Sequence, residues 1–450
     1  MNTDLVTRPP ETDWSRVRLC PEDVPDLPVL WAGDVAVVGG GSAGSAAAVA
    51  AARAGASTLL IEGGSFFGGT AVAVLDTMYG FFAPGSHERA VGGIGWEVAS
   101  QLLDIGQAFL RPNTYGAGTG VTYEPEALKG VWDNLLLDAG ARLLLHARLA
   151  AVVMAGNLLT GLVVLTRRGP LRVDAQRVID ASGDADVAWA AGCALETPED
   201  GRRVQPLTAT FRVGGVSQPA DTATLHRLMR EASDSGEYRL PRLEGSAHRT
   251  VIPGIFHTNM TRVAGIDATN PWGITAAEIE GRRQVAEYAR FLRERVPGYE
   301  NSHLLSSSVW IGTRETRRLV GTYVLTREDV LAARQFDDAI ARCGAPVEDH
   351  AAGASTIWQY VGEAGGPTGQ TYGIPYRCLL PAETRGLLVA GRCLSATHDA
   401  HASVRSIAQC MAMGQAAGSA AALSVRAGSD LGALDVGDLR EGLVSNGVVL

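Results

Sequence analysis

Asp34-Val-Ala-Val-Val-Gly-Gly-Gly-Ser-Ala-Gly44 is the stretch on which the fold turns. Asp34 to Val38 is a short apolar run, the composition of a buried strand; three glycines follow, and Ser42 to Ala54 is then rich in alanine, a helix former. Ser57 to Ile61 is a second apolar run, closed by Glu62. The order predicts strand, glycine turn, helix and strand, a βαβ unit with G-x-G-x-x-G at the turn. Gly39 allows the tight turn, Gly41 lets the backbone approach a pyrophosphate, and Gly44 lets helix and strand pack closely. The N–H groups around Ser42 and Ala43 have no helical acceptor and carry the positive end of the helix dipole, which suits an anion. Glu62, eighteen residues after Gly44, is placed to accept hydrogen bonds from an adenosine ribose. The motif in this setting predicts dinucleotide binding.

FAD is distinguished from NAD by what lies further out. Gly63-Gly64-Ser65-Phe66-Phe67-Gly68-Gly69-Thr70 is a second glycine-rich run, needed where the chain passes close to a longer cofactor and unnecessary for NAD. Ala181-Ser182-Gly183 is a turn after the strand-like Arg172 to Asp180. Leu387 to Ala390 is a further buried strand entering a turn at Gly391-Arg392. A long small-residue helix is expected over Ser403 to Ala427, its N-terminal part, including Ile407, directed at the flavin, where the dipole stabilises a reduced, anionic ring. These segments make Gly39, Gly41, Ser42, Ala43, Gly44, Glu62, Gly63, Gly69, Thr70, Ala181, Ser182, Gly183, Gly391, Arg392 and Ile407 the expected FAD-binding set.

The rest of the chain fits a globular enzyme. Of 450 residues, 46% are hydrophobic and 19% charged, enough to bury a large core. With 39 basic and 48 acidic residues the net charge is −9, which disfavours nucleic acid and anionic membranes as partners. Lys129 is the single lysine, so Schiff-base chemistry has almost no candidate. Six scattered cysteines show neither zinc-site nor redox-pair spacing, and they read as reduced thiols. No His/Asp/Glu grouping has metal-ligand spacing, so no metal is expected. The first thirty residues hold no apolar signal core, and no run is long enough to span a bilayer, which points to the cytoplasm.

Along the chain we expect an N-terminal arm over 1–30, packed loosely or against a neighbouring subunit of a homo-oligomer. The FAD domain is discontinuous, over 31–205 and 371–450, with a substrate or cap domain over 206–370. Strands of a meander are expected over Leu143 to Met154 and Leu158 to Arg167, and a strand over Arg172 to Asp180 runs into the turn Ala181-Ser182-Gly183-Asp184. A strand is expected at Ser308 to Ile311, and helices over Thr222 to Ser235, Ala276 to Arg295 and Arg327 to Ile340. The fold class is therefore α/β, a glutathione-reductase-like FAD-binding Rossmann domain with an inserted α+β substrate domain.

These residues together resemble the FAD-dependent oxidoreductase family distantly related to the fumarate reductase flavoprotein, from about Gly33 to about Gly428. The resemblance rests on G-x-G-x-x-G with Glu62, Gly68-Gly69-Thr70, Val178-Ile-Asp-Ala-Ser-Gly-Asp-Ala-Asp186, Gln205-Pro206 leading to Phe211-Arg212, and Ile311-Gly-Thr-Arg-Glu-Thr-Arg-Arg318 with Gly321. It continues through Tyr372-Gly-Ile-Pro-Tyr-Arg377 and Gly391-Arg-Cys-Leu-Ser395 to Met413-Gly-Gln-Ala-Ala-Gly418. It implies non-covalent FAD and redox chemistry on a small molecule. The chain departs from that pattern at Ala408, where relatives carry proline, and lacks the His-Pro-Thr-Gly segment of true fumarate reductases, so dicarboxylate C=C reduction is not implied.

Flavin chemistry also needs polar groups that hold substrate or move a proton. His398 and His401 are candidates for a proton shuttle or a flavin anchor, against the alternative that they cap the following helix. Arg405 is a candidate for holding flavin or substrate, and Arg314 for clamping a carboxylate, against a structural network with Glu315. His257 is a candidate general base. The leading expectation is a dehydrogenase or oxidase moving a hydride between a small molecule and flavin N5, with oxygen or a separate partner as electron acceptor. The alternative is a flavin monooxygenase using NAD(P)H and oxygen.

Overall fold

The computed structural model describes residues 18–24, 26–112, 116–197, 204–350, 356–362 and 365–450. Its centre is a parallel sheet built around the quoted motif. Strand β1 (Val29–Val38) leads through the glycine turn to helix α1 (Ser42–Arg53) and strand β2 (Thr58–Ile61). Helix α2 (Pro125–Asp138) brings the chain to β3 (Arg142–Leu144), followed by β4 (Arg148–Ala155), β5 (Leu158–Thr166) and β6 (Gly169–Asp180). The last strand of the sheet, β11 (Leu387–Val389), arrives more than two hundred residues later. In space the parallel order is β3-β2-β1-β6-β11, and β4, β5 and the first half of β6 form an antiparallel meander. Val35 to Val38 and Leu59 to Ile61 are buried on both faces, which explains their unbroken apolar character.

Between β6 and β11 the chain builds a second sheet with a core of its own. Strands β7 (Phe211–Gly214), β8 (Ser246–Arg249), β9 (Ile255–Asn259) and β10 (His303–Ser307) pair antiparallel in the order β8-β9-β7-β10. Helices α3 (Thr222–Asp234) and α4 (Pro271–Arg295) cover it, and Phe211, Met229, Phe256, Tyr288 and Phe291 fill the space between. Leu325, Val330, Ile340 and Cys343, also within the expected 206–370 unit, pack instead into the main core with Val35 and Val37.

The C-terminal helix expected over Ser403 to Ala427 is two helices, α5 (His398–Val404) and α6 (Ile407–Ala427). Ser406 is extended, with ψ 148°, and interrupts the helical ladder. Helix α6 lies on α1 at very short range, because Gly414 and Gly418 face the backbone of Ala43 and Ala47, and a Cβ at either glycine would overlap those backbone atoms. Gly418→Leu is therefore expected to cost roughly 3 kcal/mol through overpacking, measurable as a lowered denaturation midpoint with no change in the surface exposed on unfolding.

Several local expectations are corrected. The run Leu143 to Met154 divides between β3 and β4, because His146 adopts a left-handed φ of 56°. Ser308 to Ile311 is not a strand: the chain leaves the sheet after Ser307, and the Val309 and Ile311 amides donate to Ala73 O and to Glu278. The helix expected over Arg327 to Ile340 stops at Leu331, and Ala339–Cys343 is a strand paired with Tyr372–Pro375. The described part of the N-terminal arm is docked: Arg18–Leu19 pairs with Val152–Val153, and Val24 is buried against Ala151, Val153 and Val163. Strand β1 starts at Val29, inside the expected arm, because Val29 to Gly33 already pair with β6. Residues 1–17 of the arm lie outside the described residues. None of the helices described is long and apolar enough to cross a membrane.

Candidate functional site

The strand ends of the parallel sheet open into a cavity of about 1170 Å³. Gly39, with φ 96°, makes the turn after β1, and a side chain there would run into the Ala181 carbonyl. Gly44 faces the Gly39 carbonyl so closely that a Cβ has no room. Gly41 is different: a Cβ there would meet no atom within 4 Å, and its φ of −70° is ordinary. Space is thus kept open at the mouth of α1, where the Gly41 cap supplies no side chain and the Ser42 and Ala43 amides are free to donate.

Glu62 stands beside this mouth. Its carboxylate accepts from Gly40 N at 2.6 Å and Gly64 N at 2.5 Å, which fixes its orientation and leaves further lone pairs for ribose hydroxyls. Buried Asp180 shapes the next turn by accepting from Ser182 N, Ser182 Oγ and Ala188 N at 3.1, 2.6 and 2.9 Å. The turn after β11 is held by Arg392, which donates to Asp184 at 2.9 Å. The helix end meeting the cavity is that of α6, not one starting at Ser403: Ser406 and Ile407 line the wall, and Ser406 makes no side-chain cap. An anion-receptive helix mouth kept clear by Gly41, a fixed acid for a ribose and a second helix mouth further along fit the parts of FAD.

Of the expected cofactor set, every residue except Gly44 lines the cavity. Gly44 serves by close packing behind the turn.

The expected catalytic residues divide. Arg314, Arg405 and His257 line the cavity. His398 and His401 are not among its lining residues, because each turns toward protein partners. His398 Nδ1 pairs with Glu315 at 2.8 Å, and His401 Nε2 donates to Arg392 O at 2.8 Å. Burial lowers the His398 pKa, but the hydrogen bond and charge of Glu315 outweigh it and the net shift is upward. Burial pushes fully enclosed His401 well down, so it is neutral. Glu315 belongs to the structural network weighed as the alternative for this segment, pairing also with Arg318 at 3.0 Å and accepting from Gln205 N at 2.9 Å. Arg314 stands outside that network and donates to Pro206 O at 2.6 Å.

The polar end of the cavity holds groups that sequence reading missed. Asp76, 1% exposed, accepts from His248 Nε2 at 2.8 Å, and His257 Nδ1 lies 3.7 Å from its other oxygen. Burial would raise the Asp76 pKa, yet the neighbouring histidines and Arg212 hold it well below the carboxylate range. Burial brings His257 to about 4. His257 is therefore uncharged at neutral pH, and ionised Asp76 rests on His248 and Arg212. Arg212 is in turn paired with Glu124 at 2.8 Å. The available signal was Asp76 itself, an isolated acid in the apolar run Ala71 to Ala83. Nothing in the local sequence marks His248, which the second sheet carries to it.

Fold and site together define a dinucleotide-binding enzyme of the flavin type. The chain belongs to the family described as FAD dependent oxidoreductase, whose model matches residues 34–443, and its cofactor is FAD. No curated protein matches the sequence. Among the solved structures that resemble the chain in outline are three of different kinds. One is a geranylgeranyl bacteriochlorophyll reductase-like protein from Thermoplasma acidophilum, 13% identical over 92% of this chain and 82% of that one, with a TM-score of 0.46. Another is p-nitrophenol 4-monooxygenase from Pseudomonas putida, 13% identical over 92% and 86%, with a TM-score of 0.47. The third is a myxobacterial chondrochloren halogenase, 13% identical over 92% and 78%, with a TM-score of 0.46.

Proposed function

We propose that this oxidoreductase moves a hydride between a C–H bond of a small organic molecule and N5 of FAD. The observation that carries the reading is the continuity of one cavity from the mouth of α1 to the chamber of Asp76, His248 and His257. FAD supplies the two-electron chemistry when bound. The expected lining set, from Gly39 through Ile407, holds it: amides of Ser42 and Ala43 take the diphosphate, and Glu62 takes the ribose. His248 is the proton-handling residue. Its Nε2 is engaged by Asp76, and no described protein atom hydrogen-bonds Nδ1, which is left for a substrate O–H or N–H. Asp76 positions the ring, as a buried acid does behind a catalytic imidazole. Arg314 and Arg405 face the substrate end, and His257 packs beside the dyad, its ring centroid 5.3 Å from that of His248.

We assign the cofactor domain to the glutathione-reductase-like class, supported by five parallel strands and a meander of β4, β5 and the first half of β6, which shares the fourth of them. The inserted domain is the second sheet with α3 and α4. The test is anaerobic mixing of FAD-loaded protein with a panel of small alcohols, amines and NAD(P)H while flavin absorbance is followed. Bleaching by an organic substrate alone is expected. Bleaching only by NAD(P)H, with oxygen uptake stimulated by an aromatic or alkene substrate, would instead identify a monooxygenase. Asp76→Asn is expected to slow substrate-driven bleaching about a hundredfold, the size of a general-base contribution, with unchanged FAD content.

A further inference from the structure

The proton-handling dyad occupies one side of the chamber; another side carries a concentration of positive charge. Arg242, Arg314 and Arg405 come from three distant segments and all line the cavity. Among the described residues, none of the three has a carboxylate within ion-pair distance. Arg242 spends Nη1 on the Asn259 backbone and side-chain oxygens, at 3.2 and 3.0 Å, and its buried Nε has no partner. Among the described residues, Arg314 makes one side-chain hydrogen bond, to Pro206 O at 2.6 Å. The Nε of Arg405 is likewise buried and unpartnered.

An acid, Glu348, acts on both Arg314 and Arg405. Glu348 pairs with His350 at 3.1 Å and lies at the cross-strand position opposite Trp358. Burial would raise Glu348, but His350 and the Arg405 and Arg314 charges bring it down to about 2, so it is ionised. Burial brings His350 to about 3, which leaves it neutral at physiological pH. Glu348, with Glu315 acting on Arg405, faces three guanidiniums to which Arg262 adds a fourth positive charge, so positive charge is in excess in a partly desolvated wall. Such an excess is costly unless something anionic enters. Burial, with Arg242 and Arg405 adding repulsion of like sign, pushes Arg314 well below the usual arginine range. Two arginines toward the cofactor turns contrast with this: Arg392 pairs with Asp184 at 2.9 Å, and Arg317 with Asp186.

We infer that the substrate is an organic oxyanion, its negative charge held by Arg242, Arg314 and Arg405. This rests on the reading of that chamber as the substrate end. Guanidinium forks bind carboxylate and phosphate alike, so the class is fixed by charge and the test separates the two sources.

The experiment titrates FAD-loaded protein, at constant ionic strength, with malonate, inorganic phosphate and the neutral isostere malonamide. Melting temperature and the visible flavin spectrum are recorded together. At least one anion is expected to raise Tm in proportion to the logarithm of its concentration, and the arm that responds tells carboxylate from phosphate. Malonamide is expected to have no effect. Arg314→Gln and Arg242→Gln should each weaken the responding anion by about tenfold or more. They should also leave the ligand-free Tm equal or higher, the reverse of what removing a salt-bridged arginine does. Equal responses to malonate and malonamide would overturn the inference, as would an anion response surviving in both variants, or a fall in ligand-free Tm in both. Protein that never takes up FAD would instead count against the flavin reading. Yellow protein indifferent to anions sinks this inference alone.

Discussion

Gly41→Val is expected to fold normally and to purify without colour. The isopropyl group enters space that no protein atom occupies, at a φ of −70° that valine tolerates, so neither packing nor backbone resists it. It fills the volume before the Ser42 and Ala43 amides. Two charge-assisted hydrogen bonds to the diphosphate, about 1.5–3 kcal/mol each, are then lost, and FAD affinity falls by roughly a thousandfold or more. Gly44→Val, one helical turn on, should fail in the opposite manner, because its side chain collides with the Gly39 carbonyl and attacks the fold itself. Flavin absorbance per mole and the denaturation midpoint of the apoprotein separate the outcomes. A yellow Gly41→Val protein with normal affinity would refute the placement of the diphosphate.

Glu315→Gln is expected to destabilise the protein by about 3–5 kcal/mol at neutral pH, as breaking a buried ion pair does. Glu315, 2% exposed, faces Arg318, His398 and the Gln205 amide, and an amide side chain leaves their charges without an acceptor of full strength. The pH dependence follows from its pKa. Burial would raise it, but the His398 hydrogen bond and nearby positive charges bring it from 4.5 to about 2. A depressed carboxyl pKa stabilises the fold fully above the unfolded value, and that stabilisation is lost as pH falls from 4.5 through about 2. The gap between parent and variant should therefore narrow across that window. Denaturant midpoints at pH 7 and pH 3 test this; a gap that stays constant would show that Glu315 acts through packing and not through its charge.

The two predictions draw on parts of the molecule that the sequence revealed unequally. The cradle was legible because each of its parts is local: Gly39, Gly41 and Gly44 lie within six residues, and the acid after β2 sits at a distance fixed by one helix. The α5–α6 break was hidden, because Ala402-Ser-Val-Arg-Ser-Ile407 contains no glycine or proline to announce it, and a single extended residue, Ser406, divides the helix. His398 and His401 attracted attention as polar residues in an apolar region, yet tertiary partners far away in the chain, Glu315 and the Arg392 carbonyl, draw them from the cavity. Asp76 and His248 meet across more than 170 residues, and the convergence of Arg242, Arg314 and Arg405 depends equally on how the second sheet settles over the first. No spacing rule within one segment encodes such a meeting.

The interlocking of α6 with α1 has a bearing on how the protein is made. Synthesis delivers β1 and α1 long before β11 and the helix that closes over Ala43 and Ala47, which follow more than three hundred residues later. Until then the nascent chain holds half a socket, with the alanine-rich face of α1 bare. Maturation thus has a built-in order: two segments far apart in the chain must find each other before the socket between them is complete.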